Sequence, residues 1–291
     1  MYGVIAIIFL ISGLSIPRQK LFSQFLNWRL HLVVQVISFL FIPALVLAVV
    51  HIILAGDPGG KIDRAVLAGY IFTACIPTTI ASNVVMTRAA GGDDAAALVE
   101  VLIANILGPF VTAAWTVSLI PKTAEFDLWR STFSSCFATG ALQSLSAQSV
   151  VFVVLFNIAL YIFLTLICFL GSRPPRILSS RKWSEPMFKR MSPEETIAVC
   201  FCGPAKSTAL GIPLLYAMWQ PIDLFTKAKT SVPVLLYTTE QICVAHFFVQ
   251  LFRRWHARVV EKEHVEYAGD AEAGMTEVAR ENHITCDNAT I

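Results

Sequence analysis

Apolar residues along this chain gather into long unbroken blocks instead of recurring at amphipathic spacing, and short charged stretches separate the blocks. Seven blocks are as long, or nearly as long, as a bilayer crossing, which takes about 20 apolar residues. They run over 1–17, 32–54, 65–87, 95–119, 149–171, 194–219 and 230–252. The pattern predicts an all-α polytopic membrane protein, with a transmembrane unit over 1–252 and a flexible cytoplasmic tail over 253–291. The first block, "MYGVIAIIFLISGLSIP", is short, and a signal peptide is its rival reading. Arg18 and Lys20 follow it, whereas a signal peptide carries its basic residues in front. That favours a membrane helix.

Two blocks carry an interruption. "AGYIFTACIPTTIASNVVMTRAAGGDD" and "ETIAVCFCGPAKSTALGIPLLYAMW" each contain Cys-x-Pro followed at once by a polar cluster. The clusters are Thr78, Thr79, Ser82 and Asn83 after Pro77, and Lys206, Ser207 and Thr208 after Gly203 and Pro204. Proline removes a helix hydrogen bond and clashes with the preceding turn. The freed backbone groups must face protein or a water-lined cavity, because lipid offers them no partner. Two interrupted helices in corresponding places point to a substrate or ion site. A single proline kink would mean little; the matched pair, each with a polar cluster, carries the weight.

Lys206 sharpens this reading. It is the sole ionisable side chain between Thr196 and Trp219 apart from cysteine and tyrosine, and it lies near the middle of its block. A lysine at mid-membrane costs about 2.5–3.5 kcal/mol on insertion scales and usually faces the bundle interior. Snorkelling to the interface is the competing explanation and suits a residue nearer a helix end. For a counter-charge there are two candidates. Asp93, Ala97, Glu100, Ala104 and Gly108 recur at helical spacing, a face of small residues with a carboxylate in it, and Asn105 is close by. Glu240 and Gln241 sit mid-segment in the last block and are the alternative.

Composition agrees with a membrane protein: 56% of the 291 residues are hydrophobic and 14% charged, and mean hydropathy is +0.65. A net charge of +2 gives no basis for a nucleic-acid partner. The lysine and arginine distribution sets an orientation. Arg18, Lys20 and Arg29, then the basic 172–193 loop, then Arg253, Arg254 and Arg258 all fall on one side. If that side is cytoplasmic, the N-terminus is outside or lumenal and the C-terminus inside. The sequon at 288–290 would then lie in the cytoplasm and go unglycosylated. The seven cysteines mostly sit within apolar blocks and read as small buried residues, not as a disulfide framework or a zinc site. No nucleophile–base pair or metal-ligand spacing stands out, so neither an enzyme nor a resident metal or cofactor is expected. A seven-helix receptor fits the count, but the chain has no Asp-Arg-Tyr after a third helix and no Asn-Pro-x-x-Tyr in the last.

"CIPTTIASNVVMTRAAGGDDAAALVEVLIANILGP", "CGPAKSTALGIPLL" and "SVPVLLYTTEQ" together resemble the sodium/bile-acid cotransporter (SBF-like) superfamily. The nearest branch is its seventh-member group, with fungal relatives linked to calcium homeostasis. The resemblance implies a bile-acid-symporter-like inverted-repeat fold of panel and core domains, with two discontinuous helices crossing near the substrate and cation sites. It implies sodium ligation by the residues matching Ser82 and Asn83. At the second crossover it places Phe201 and Ala205 where sodium-coupled members carry a Glu and a Gln. Ala97 and Val101 stand where those members use hydroxyls. The cation site is therefore depleted, with the Lys206 ammonium close to it, which speaks against sodium coupling.

The family pattern also has ten helices where the chain shows about seven. The start resembles the second helix, and the run from "PKTAEFDLWR" to "STFSSCFATGALQSLSAQ" skips the sixth and most of the seventh, with a join near 129–132. The functional expectation is a secondary transporter acting in calcium homeostasis, in the plasma membrane or an endomembrane, for a small organic anion or inorganic ion. A truncated, non-transporting form is part of that expectation. The alternative is a regulatory membrane protein that modulates calcium influx through a partner, as a homodimer or with a calcium channel.

Overall fold

In the computed structural model, which describes residues 18–57, 59–79, 81–130, 147–173, 190–220 and 222–287, the apolar blocks from 32 onward are helices. The first block and the 131–146 stretch lie outside the described residues, as does most of the basic 172–193 loop. Helix α1 is Arg18–Phe25, and α2 runs over Trp28–Gly56 with a π turn at Ile37–Phe41. The third block is α3, Arg64–Cys75, and α4, Ala81–Ala89. Then come α5, Asp94–Leu119, the short α6, Asp127–Arg130, and α7, Ala147–Ser172. The sixth block is α8, Pro193–Cys202, and α9, Thr208–Met218. Helix α10 is Leu224–Asp287.

Four of these helices are long and apolar enough to cross a membrane. The two blocks with Cys-x-Pro fall short because each is divided into half-helices, as the prolines predicted. Among the described residues the regular secondary structure is all helical, and the fold is an incomplete polytopic membrane fold. Helix α10 continues as helix into the 253–291 stretch and reaches Asp287. That stretch contains no proline and is rich in Ala, Glu and Arg, which favour helix.

Caps set the breaks and starts. Asp93 ends the Gly91–Gly92 turn and accepts from the Ala95 and Ala96 N–H groups, opening α5. Ser192 and Glu195 form a capping box at the start of α8, with Pro193 in the first turn. The Asp93 N–H donates to the Glu194 carbonyl at 3.1 Å, which ties the two helix starts together.

Helix α10 packs along α3 and α7, α8 packs on α7, α5 and α4, and α2 lies against α3 and α5. The small-residue face read in α5 is real: Ala97, Glu100, Ala104 and Gly108 are buried. At Gly108 a Cβ would come within 2.6 Å of the Pro77 ring, so glycine here permits the first break to sit against α5. Just ahead of the predicted join, Trp129 anchors the chain. Its indole N–H donates to Thr230 Oγ1 at 3.1 Å, and its carbonyl accepts from the Trp219 indole at 3.0 Å. Cys75, Cys168, Cys200 and Cys202 are buried free thiols, as their apolar setting suggested, while Cys243 is exposed.

Candidate functional site at the crossing breaks

The two breaks meet. Cys75 ends α3 because Ile76, preceding proline, is held extended (φ −69°, ψ 154°). Cys202 ends α8, and Ser207 is extended (φ −106°, ψ 119°) before α9 begins. The Ser207 N–H donates to the Pro77 carbonyl at 2.9 Å, so one break caps the other.

Lys206 lies at this junction with 1% of its surface exposed. Its Nζ donates to the Ser38 carbonyl at 2.8 Å, to Ser38 Oγ at 3.2 Å and to the Ile76 carbonyl at 3.0 Å. Three ammonium donors thus find three oxygens, and the Phe39 ring lies 5.8 Å from the charge. Hydrogen bonds to a charged group contribute about 1.5–3 kcal/mol each. Such bonds offset part of the cost of burying the charge, about 2.5–3.5 kcal/mol on insertion scales. The main chain of Lys206 is held as firmly. Gln241 accepts from its N–H at 2.9 Å and donates to its carbonyl at 2.8 Å, and the Tyr237 hydroxyl donates to the Pro204 carbonyl at 2.8 Å.

The polar cluster after Pro77 bonds mainly within itself. Asn83 Nδ2 donates to Thr78 Oγ1 at 2.6 Å, and Ser82 Oγ donates to Thr79 Oγ1 at 3.3 Å. Asn105, on α5, donates to the Thr78 carbonyl at 3.2 Å. Ser82, Asn83, Phe201, Ala205 and Gln241 help line a cavity of about 10 Å³, room for about one water molecule. No carboxylate lines it. Thr208 opens α9 and is half-buried, while Ser207 is buried.

Neither proposed counter-charge reaches Lys206. Glu100 is fully buried, but its Oε1 meets His31 Nδ1 and its Oε2 accepts from Gln35 Nε2 at 3.0 Å. Glu240, half-buried on α10, faces Asn157 of α7. The reason is geometric: the ammonium points at carbonyl oxygens released by the first break and by the π turn of α2. Gln241, the amide beside Glu240, does engage Lys206, through its backbone.

Sequence reasoning missed Ser38 and His31. A signal was present: His31, Gln35 and Ser38 are spaced four and three apart within or just before an apolar block, which places all three on one helix face. That face carries both the Glu100 and the Lys206 contacts.

The sequence pattern that defines the SBF-like CPA transporter family matches residues 1–131 and 128–254. The chain belongs to this family. Among its relatives, the solute carrier RCH1 of Candida albicans is 31% identical over 350 residues, spanning 92% of this chain and 85% of its own length. The solute carrier RCH1 of Saccharomyces cerevisiae is 32% identical, over 87% of this chain and 76% of its own length. The sodium/bile acid cotransporter 7 of Mus musculus is 26% identical, over 87% and 83%. Membership in this family of solute carriers, together with the apolar helices, makes the chain an integral multi-pass membrane protein. The two family matches meet at 128–131, where the sequence placed the join. An alignment of 350 positions also exceeds the 291 residues of the chain, so several tens of positions in the Candida relative have no counterpart here.

Proposed function

We propose that this chain is a secondary-transporter-type protein of calcium homeostasis in which Lys206 serves as a tethered cation in place of sodium. The observation that carries the reading is the coordination of its Nζ by three protein oxygens at the crossing breaks. Free cations in such a site would be held by the same kind of ligand, backbone carbonyls and hydroxyls. An ammonium that anchored an anionic substrate would instead keep donors free for it, and here all three are used. Ser82, Asn83, Thr78 and Thr79 form the opposite wall, and Ser207, Thr208 and Gln241 complete the junction. The calcium role rests on the resemblance to the seventh-member branch. Arg253, Arg254 and Arg258 after the last apolar stretch support a cytoplasmic C-terminus and an N-terminus outside or in a lumen.

The test is expression in fungal cells lacking their own RCH1-type carrier, followed by a calcium pulse and a cytosolic calcium reporter. Wild type is expected to reduce the transient, and Lys206→Ala to lose that reduction. An unchanged transient with wild type overturns the calcium role, and a fully active Lys206→Ala removes Lys206 from the mechanism. The absent stretch after Arg130 favours a second reading, a regulator that damps calcium influx through a partner. A reduced transient with no ion flux in reconstituted vesicles identifies that case.

A further inference from the structure

A second ionisable cluster lies apart from Lys206, where α2 meets α5. Glu100 has 0% of its side chain exposed and His31 has 17%, so the histidine lies between the buried carboxyl and the outside of the bundle. His31 Nε2 lies 2.9 Å from the Phe25 carbonyl. A carbonyl can only accept, so Nε2 carries a hydrogen. His31 Nδ1 faces Glu100 Oε1. That contact needs one proton, held either on Nδ1 as an imidazolium against a carboxylate, or on Oε1 as a carboxylic acid against a neutral ring. In both arrangements the pair is neutral overall, which suits a site in a membrane bundle. Without the proton, the ring has one hydrogen for two acceptors, Glu100 Oε1 and the Phe25 carbonyl, so one of the two contacts is lost while the buried pair takes on a negative charge.

We propose that His31 and Glu100 form a proton-binding site, and that release of its proton to water at the exposed edge of His31 breaks one of the two contacts by which the ring ties the end of α1 to α5. The step is balanced: the pair and one water give hydronium and a pair bearing one negative charge. Gln35 donates to Glu100 Oε2 at 3.0 Å and supports the carboxylate once the proton has left.

The surrounding charges are already engaged. From α8, the Cys202 thiol faces Glu100 and donates to the Ala97 carbonyl, while Glu195 accepts from Asn27 at 2.7 Å. From α1, Lys20 pairs with Asp93 and Asp94 at the start of α5, and from α4 Arg88 pairs with Asp94. Cys75 on α3 and Cys168 on α7 are buried free thiols. Arg29 also lies on α2, and Tyr216 and Lys206 flank the start and course of α9. Lys206 is bound to Ser38, one turn beyond Gln35, and the proposal does not depend on its role.

The experiment is thermal unfolding of the purified chain in lipid nanodiscs as pH rises from about 5 to above about 8. With the proton both ring contacts are made, so the stability they contribute is present at low pH and lost as the proton leaves with rising pH. Wild type is expected to lose at least about 2 °C in midpoint across this range. Glu100→Gln and His31→Gln, which keep polar side chains without the shared proton, are expected to flatten the profile. A second measurement covers variants that do not fold: ring-nitrogen NMR of ¹⁵N-histidine-labelled wild type, in which a ring-nitrogen signal of His31 moves with the same pH step. A step that persists in both variants, or a His31 signal that does not move over this range, overturns the proposal.

Discussion

Lys206 shows how a charge survives inside an apolar bundle without a carboxylate. Its ammonium takes the carbonyls of Ile76 and Ser38, and its backbone is clamped by Gln241. Each of these bonds satisfies a group that would otherwise be buried and unpaired. Gln241→Leu strands the N–H of Lys206, at about 1–3 kcal/mol, and leaves its carbonyl with the long Thr238 hydroxyl contact at 3.5 Å. Its unfolding midpoint in nanodiscs is therefore expected well below that of wild type, and an unchanged midpoint would show that the clamp contributes nothing. Lys206 and Gln241 were legible as residues of the site because a polar side chain in an apolar block is conspicuous. Their partners were not. Glu100 and Glu240 look like counter-charges in the sequence, whereas backbone carbonyls have no letter of their own. The stripe His31, Gln35 and Ser38 could have been read from its spacing, but it straddles the start of a block and its partners lie far along the chain.

At the level of elements, the interrupted helices follow from Pro77 and Pro204, and the sequence locates both breaks to within a residue or two. Their mutual bond, Ser207 N–H to the Pro77 carbonyl, is a tertiary fact. The π turn at Ile37–Phe41 is followed by Pro43, which has no N–H to offer the Ser38 carbonyl five residues back, so that carbonyl is free for Lys206. The small-residue face of α5 has a specific use. Gly108 leaves room for the Pro77 ring, and an alanine Cβ would meet three ring carbons at 2.6–3.1 Å. Gly108→Ala is expected to cost about 1–3 kcal/mol, the usual range for overpacking. Chemical or thermal unfolding of the variant checks this, and a neutral result would mean that the first break does not need its close seat on α5.

Across the whole molecule, the apolar blocks from 32 onward, their order and the pairing of the two broken ones were all carried by hydropathy and proline placement. The join was legible too, since family-like sequence stops near 130 and resumes as though a stretch had been skipped, and the family matches meet there. The packing of Trp129 between Trp219 and Thr230 was not legible, because two aromatic residues nearly a hundred positions apart carry no mutual signal. What the described helices preserve is the crossing itself, and the proposed role of Lys206 is that of a cation tethered there. That claim is tested most directly by the unfolding midpoint of the purified chain in sodium chloride against choline chloride. Wild type is expected to show the same midpoint in both salts, and Lys206→Ala to gain a sodium-dependent rise as the oxygens around Ser38 and Ile76 are released. A saturable sodium-dependent rise in wild type would contradict the account.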